Sequence, residues 1–199
     1  MSVLRVFIAI ELSTVTQDTI QKQTAHLRQA LGDDLVRWVP THNLHLTLKF
    51  LGDVATAHID FLKQMLLHEV DPFTEFDIQL GGLGVFPTSK WPRVLWLGLH
   101  APAVLASLQH NIESATARLG YKKEEHAFSP HLTIARVKQG APSADLQKIS
   151  PALESVQLGN IATARVDSVH LFKSDLKPAG SVYIKLFSAK LKAAQLLKA

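Results

Sequence analysis

The chain has 199 residues, 47 % hydrophobic and 19 % charged, a balance that suits one globular domain whose core needs no metal or disulfide staple. It contains no cysteine, which excludes a disulfide framework, Cys-ligated zinc and a cysteine nucleophile. Lys and Arg number 21 against 17 Asp and Glu, a formal charge of +4 that favours anionic partners without specifying nucleic acid. No apolar run reaches the roughly 20 residues needed to span a bilayer. The opening MSVLRVFIAIEL is broken by Arg5 and Glu11 and lacks the basic start and cleavage site of a signal peptide. The expectation is a cytoplasmic protein with no membrane partner, and a monomer by default.

In chain order, Val3 to Leu12 is rich in β-branched and aromatic residues and reads as a buried strand. Ser13 or Thr14 caps a helix running to about Leu31, with Gly32 as its stop. Leu35 to Val39 reads as a short strand closed by Pro40, and Leu44 to Leu51 as another, ended by the turn signal Gly52-Asp53. A helix fills Thr56 to Val70. Phe73 to Val85 is a long strand bent at Gly81-Gly82, followed by a polar loop from Phe86 to Pro92. Arg93 to Leu99 is a strand and Pro102 to Leu119 a helix, with Pro102 suited to its first turn and Gly120 past its end. Pro130 to Lys138 is a strand, Gly140 to Leu153 a loop with a short helix, Val156 to Lys173 one or two strands, and Val182 to Leu191 a last one. The closing AAQLLKA reads as a frayed helix or a disordered tail.

The two halves repeat one another. Arg5-Val6-Phe7-Ile8-Ala9-Ile10 opens a strand, a helix follows, and His45-Leu46-Thr47-Leu48 comes 40 residues after Arg5. Arg93-Val94-Leu95-Trp96-Leu97-Gly98 opens a strand, a helix follows, and His131-Leu132-Thr133-Ile134 comes 38 residues after Arg93. The repeat, roughly 3–52 and 93–138, predicts two similar lobes about an approximate two-fold axis within one bilobal domain of residues 1–199. Each lobe then lends one His-x-Thr strand to a shared cleft.

Side chains alternate along a strand, so His45 and Thr47 share one face while Leu46 and Leu48 anchor the other; His131 and Thr133 stand likewise against Leu132 and Ile134. Two imidazoles and two hydroxyls therefore converge. The set suits in-line displacement at phosphorus. An attacking water must lose a proton and a leaving ribose oxygen must gain one, and a group with an ordinary pKa near 6.5 does either at neutral pH. Threonine hydroxyls can donate to the non-bridging oxygens where charge accumulates. With ten histidines in the chain a single His-x-Thr carries little weight, and a strand histidine satisfied by a carbonyl is the ordinary reading. Two copies at matching ends of a repeat are a strong signal.

On these motifs the chain resembles the 2H phosphoesterase superfamily, named for paired His-x-Thr/Ser-x motifs, and its RNA 2′,3′-cyclic phosphodiesterase (2′-5′ RNA ligase-like) branch. The resemblance covers nearly the whole chain: RVFIAIEL, NLHLTLKFLGDV, GGLGVFPTSKWPRVLWLGL, SPHLTIARVK and VHLFKSDLKPAGSVYIKL are each similar to a segment of that branch. It implies an α+β bilobal fold, with two pseudo-symmetric antiparallel sheets facing a central cleft and helices outside. It implies no metal and no cofactor, and as partner an RNA ending in a 2′,3′-cyclic phosphate, opened to a 2′-phosphate. His45 is then the proton donor to the leaving 3′ oxygen, His131 the proton acceptor from water, and Thr47 and Thr133 hold the phosphate.

Further candidate substrate contacts are Arg136, Lys49, Phe50, Phe128 and Tyr183. Arg136 lies where the branch usually has Arg, but alternation turns it away from His131, so it needs a twist, a bulge or the strand end. Lys49 shares the face of His45 and Thr47 by the same alternation. Phe50 and Phe128 flank the motifs as stacking or core residues, and Tyr183 matches a late Tyr of the branch. His42 and His45 would face opposite ways in a strand and have no acidic neighbour to complete a metal site. The loop with Lys90 and Trp91 is a substrate-selecting segment or a plain turn. Two other functions stand beside hydrolysis: 2′-5′ RNA ligation, the same chemistry reversed, and a non-catalytic RNA-end-binding module, to which paired imidazoles are less suited than Lys or Arg.

Overall fold

A computed structural model describes residues 2–177 and 180–194. The first strand, β1 (Val3–Glu11), is buried on both faces from Val6 to Ile10. Val6, Ile8 and Ile10 join the main core, while Phe7 and Ala9 join a small cluster with Phe172 on the other face. Ser13 Oγ accepts the Thr16 N–H at 3.2 Å and caps α1 (Thr14–Gln23). The helix does not run unbroken to Leu31. Thr24, with φ −91 and ψ 4, leaves helical geometry while its hydroxyl donates to the Ile20 carbonyl at 2.8 Å, and α2 (Ala25–Leu35) follows with a kink at Gly32.

β2 (Val36–Trp38) and β3 (His45–Ala55) follow. A single 3₁₀ turn leads into α3 (Ile59–Val70), which buries Leu62, Leu66 and Val70 at the i, i+4, i+8 spacing of one helix face. β4 (Phe76–Thr88) and β5 (Trp91–His100) form a tight hairpin. The expected loop from Phe86 to Pro92 is thus mostly strand: Phe86 pairs with Val94 and Thr88 with Trp91, leaving Ser89-Lys90 as the turn. Then come α4 (Ala103–Arg118), β6 (His131–Val137), the short α5 (Ser143–Leu146) and α6 (Ile149–Glu154), β7 (Asn160–Val166), β8 (Ser168–Lys177) and β9 (Gly180–Lys190). The tail expectation beyond residue 194 lies outside the described residues.

The strands form one antiparallel sheet in the order β7-β4-β5-β6-β3-β1-β8-β9, with β2 added on β6. The order divides at its centre into the group β7-β4-β5-β6 and the group β3-β1-β8-β9, the two lobes of the fold. They are joined by one cross-strand pair, Leu46 with Leu132. The lobes are not consecutive in sequence: β8 and β9 return to the lobe of β1 and β3, because antiparallel pairing with β1 is what covers that strand's free edge. Helices lock the halves together, α1 packing on β7 and α4 on β3. Most buried apolar side chains belong to one cluster that runs through both lobes.

Candidate active site

The two motif strands have the same sequence of exposure. From His45 and from His131 alike it runs half-buried, buried, half-buried, buried, buried, exposed, buried. The doubled buried position is a β-bulge. β1 pairs Ile8 with Lys49 but Ala9 with Thr47, so Leu48 is the extra residue. β5 pairs Leu95 with Ala135 but Trp96 with Thr133, so Ile134 is the extra one. A bulge reverses the alternation downstream of it. That reversal turns Arg136 toward the cleft and turns Lys49 away from it. A second bulge in β3 falls at Leu51-Gly52, where Gly52 has φ 70, a conformation that favours glycine. The expected turn at Gly52-Asp53 is this bulge, and β3 continues to Ala55.

Between the lobes lies a cleft of about 600 Å³. His45, Thr47, His131 and Thr133 all line it, together with Arg136, Phe50 and Tyr183. Lys49 is a correction. It is 1 % exposed, and its Nζ donates to Glu113 Oε1 at 2.8 Å and to the Lys122 carbonyl at 2.6 Å, tying β3 to α4 on the helical side. Phe128 takes the core role of its two readings: its ring packs against the main core, and it does not line the cleft as a substrate contact. Of the loop residues, Phe86 lines the cleft and Trp91 lies exposed at the hairpin turn.

Each histidine is held by the same device. His45 Nδ1 lies 2.7 Å from the Asn43 carbonyl, and His131 Nδ1 lies 2.7 Å from the Ser129 carbonyl. A carbonyl only accepts, so both Nδ1 atoms carry hydrogen and both Nε2 atoms are left for the cleft. The Asn43 carbonyl is itself fixed, because the buried Asn43 side chain donates to the Ser181 carbonyl of β9 at 2.8 Å. The His45 ring is enclosed by Phe7, at 4.9 Å between centroids, and by the edge-on Tyr183 at 5.1 Å. His131 meets Phe86 edge-on at 5.0 Å, and Trp96 lies behind at 6.5 Å. Trp96 fits there because Gly84 on β4 has no side chain; a Cβ would come within 2.1 Å of the indole.

The electrostatics are unequal. His45 is held below the ordinary histidine pKa, chiefly because burial penalises its charged form. The Asn43 carbonyl opposes that shift, and the charges of Arg136 and His131 add to it. Residues missed by sequence reasoning are Phe7, Phe86 and two arginines. Arg37 on β2 is the cross-strand neighbour of Arg136 on β6, and Arg5 lies at the rim. Among the described residues Arg5, Arg37 and Arg136 have no carboxylate within ion-pair distance, although the molecule forms such pairs elsewhere, as at Arg165 with Glu75 and Asp77. Outward alternation in the two short strands was the signal available for Arg37 and Arg5. Among the described residues no cluster of three or more His, Asp or Glu is placed to hold a metal ion, and no helix is long and apolar enough to cross a membrane.

A family model described as the 2′-5′ RNA ligase superfamily matches residues 16–178. The chain belongs to this superfamily. An RNA 2′,3′-cyclic phosphodiesterase of Methanothermobacter thermautotrophicus is 32 % identical to it over 90 % of this chain and 95 % of its own. Among solved structures, the protein TT0787 of Thermus thermophilus superposes with a TM-score of 0.77 at 26 % identity, covering 95 % of this chain and 98 % of that one. E. coli LigT complexed with 3′-AMP gives 0.76 at 25 % identity, covering 96 % and 99 %. The superfamily's bilobal α+β architecture, expected from the motifs, is the architecture seen.

Proposed function

We propose that this member of the superfamily hydrolyses a terminal RNA 2′,3′-cyclic phosphate to a 2′-phosphate, without a metal ion or cofactor. The observation that carries the reading is the pair of imidazoles, each with Nδ1 bonded to a carbonyl and Nε2 left to a common cleft that two threonine hydroxyls share. The phosphate lies between them. His131 Nε2 takes the proton of a water whose oxygen bonds to phosphorus. The bond from phosphorus to the ribose 3′ oxygen breaks as His45 Nε2 delivers its proton to that oxygen. Thr47 and Thr133 donate to the non-bridging oxygens, and Arg136 faces the charge that gathers there. The products are a 3′-hydroxyl and a 2′-phosphomonoester. The name carried by the Methanothermobacter relative and the 3′-AMP held by LigT both fit a substrate of this kind.

The test is an oligonucleotide ending in a 2′,3′-cyclic phosphate, incubated in EDTA with the wild type, His45→Ala and His131→Ala. The wild type opens it to a 2′-phosphate, and each variant loses on the order of 10²–10⁴ in rate, the range typical of a positioned acid or base. An intact cyclic end after incubation with folded wild type refutes the reading. The proposal takes the protein as a cytoplasmic monomer, and light scattering on the purified chain checks its mass in solution.

A further inference from the structure

β1 is the unbulged partner of β3, so its own alternation is regular and Arg5 stands on the same face as Phe7. Phe7 touches the His45 ring. Two strand residues span roughly 7 Å, so Arg5 lies about that far from the catalytic wall, along the strand and away from it. There the cleft does not end. Arg5, Ser174 and Leu176 line the cleft and also line a neighbouring groove of about 460 Å³ that runs beside β8 to Lys177. The two depressions are therefore neighbours that share Arg5 in their walls.

The charges along this exit are uneven. Lys173 is paired with Asp175 at 3.0 Å. Arg5 and Lys177 have no carboxylate within ion-pair distance among the described residues, though Asp53 is the cross-strand neighbour of Arg5. Phe50, 58 % exposed, lines the cleft near this exit and offers an open ring face. An exposed aromatic beside an unpaired arginine is the pattern that holds a single strand, base on the ring and phosphate on the guanidinium.

A 2′,3′-cyclic phosphate is by its chemistry the 3′ end of a strand, so every other phosphate lies 5′ of it. We propose that the groove at Arg5 receives the phosphodiester immediately 5′ of the terminal nucleotide, with Arg5 as its charged contact and Ser174 as a hydroxyl donor. The inference rests on the cyclic phosphodiesterase reading and narrows its substrate class. The preferred substrate is an oligonucleotide of at least two nucleotides, and a nucleoside 2′,3′-cyclic phosphate leaves the Arg5 groove empty.

The experiment compares kcat/KM for a nucleoside 2′,3′-cyclic phosphate and for a dinucleotide ending in the same cyclic nucleotide, in wild type, Arg5→Ala and Arg5→Lys. In the wild type the added phosphodiester raises kcat/KM about tenfold or more, as one hydrogen bond between charged groups allows. In Arg5→Ala the ratio of the two substrates falls toward one. The dependence of dinucleotide affinity on salt weakens by about 0.7 in the slope of log K against log[salt], the share of one single-strand phosphate contact. Arg5→Lys keeps the salt slope and recovers part of the ratio, because it keeps the charge and loses the fork. Equal kcat/KM for the two substrates in the wild type, or an unchanged ratio in Arg5→Ala, overturns the inference while turnover of the nucleoside cyclic phosphate leaves the parent reading standing. Absence of turnover of both substrates by folded wild type refutes the parent reading, and this inference with it.

Discussion

His45 and His131 occupy equivalent points of two strands with the same bulge and the same carbonyl tether, yet the residues around them differ. Four residues on, β3 has Lys49 in a buried ion pair where β6 has Ala135. Five residues on, β3 turns Phe50 to the cleft where β6 turns Arg136. The His45 ring is walled by Phe7 and Tyr183 and its charged form is disfavoured. The comparison separates two jobs. Backbone pairing, nearly the same in the two lobes, brings both imidazoles to one cleft. Local packing and charge differ in the two lobes, and at His45 they disfavour the charged imidazole.

The largest effect on this comparison comes from breaking the ion pair on one side only. Lys49→Met strands Glu113, whose Oε2 is already buried without a partner, and should cost about 3–5 kcal/mol, the usual penalty for removing one member of a buried pair. Urea unfolding measures it. Lys49→Met with Glu113→Leu should regain most of that loss; no recovery would mean that the pair is not what holds β3 to α4.

Replacing the charge on the opposite lobe tests the electrostatic half. Arg136→Gln should lower kcat/KM by roughly 10–100-fold, as one charge-assisted bond to phosphate is removed. It should also raise the His45 titration midpoint, read by NMR in the free protein, because the Arg136 charge is one of the causes lowering it. The midpoint stays below the ordinary value, since burial remains. The sign for stability follows. A histidine with a depressed folded-state pKa stabilises the fold above about pH 6.5, and that contribution is lost as pH falls through the folded value. Arg136→Gln narrows that window. An unmoved midpoint would detach the arginine from His45. The smallest change is Phe50→Ala, expected to cost about 1 kcal/mol, the low end for a base stacked on an aromatic, and to appear as a severalfold higher KM with kcat little altered.

The strands, the repeat and the four polar residues were legible because alternation with period two survives translation into a sheet. What alternation conceals is a bulge. Leu48 and Ile134 are ordinary aliphatic residues, and nothing in their identity marks them as unpaired. The same blindness sent Lys49 to the cleft, and it left Arg136 dependent on a bulge that alternation could name but not locate. Phe128 stood between stacking and core packing because a residue outside any strand has no alternation to read, and the structure gives it to the core. Alternation could turn Arg37 outward, but only the fold brings β2 beside β6 and so Arg37 beside Arg136. The return of β8 and β9 to the first lobe is likewise a long-range pairing that no local pattern encodes.

The carbonyl tethers have a kinetic consequence. Because Asn43 and Ser129 hold each Nδ1 as a donor, neither ring can pass a proton through from one nitrogen to the other without giving up its tether. On the proposed mechanism each turnover therefore ends with the imidazoles in exchanged states, His45 bare and His131 charged. That mechanism gives the resting enzyme two isomers, one set for hydrolysis and the other for the reverse reaction, which interconvert only by proton exchange with solvent at the same two Nε2 atoms. A catalyst built this way has a recovery step of its own, one that buffer molecules can speed and product can trap.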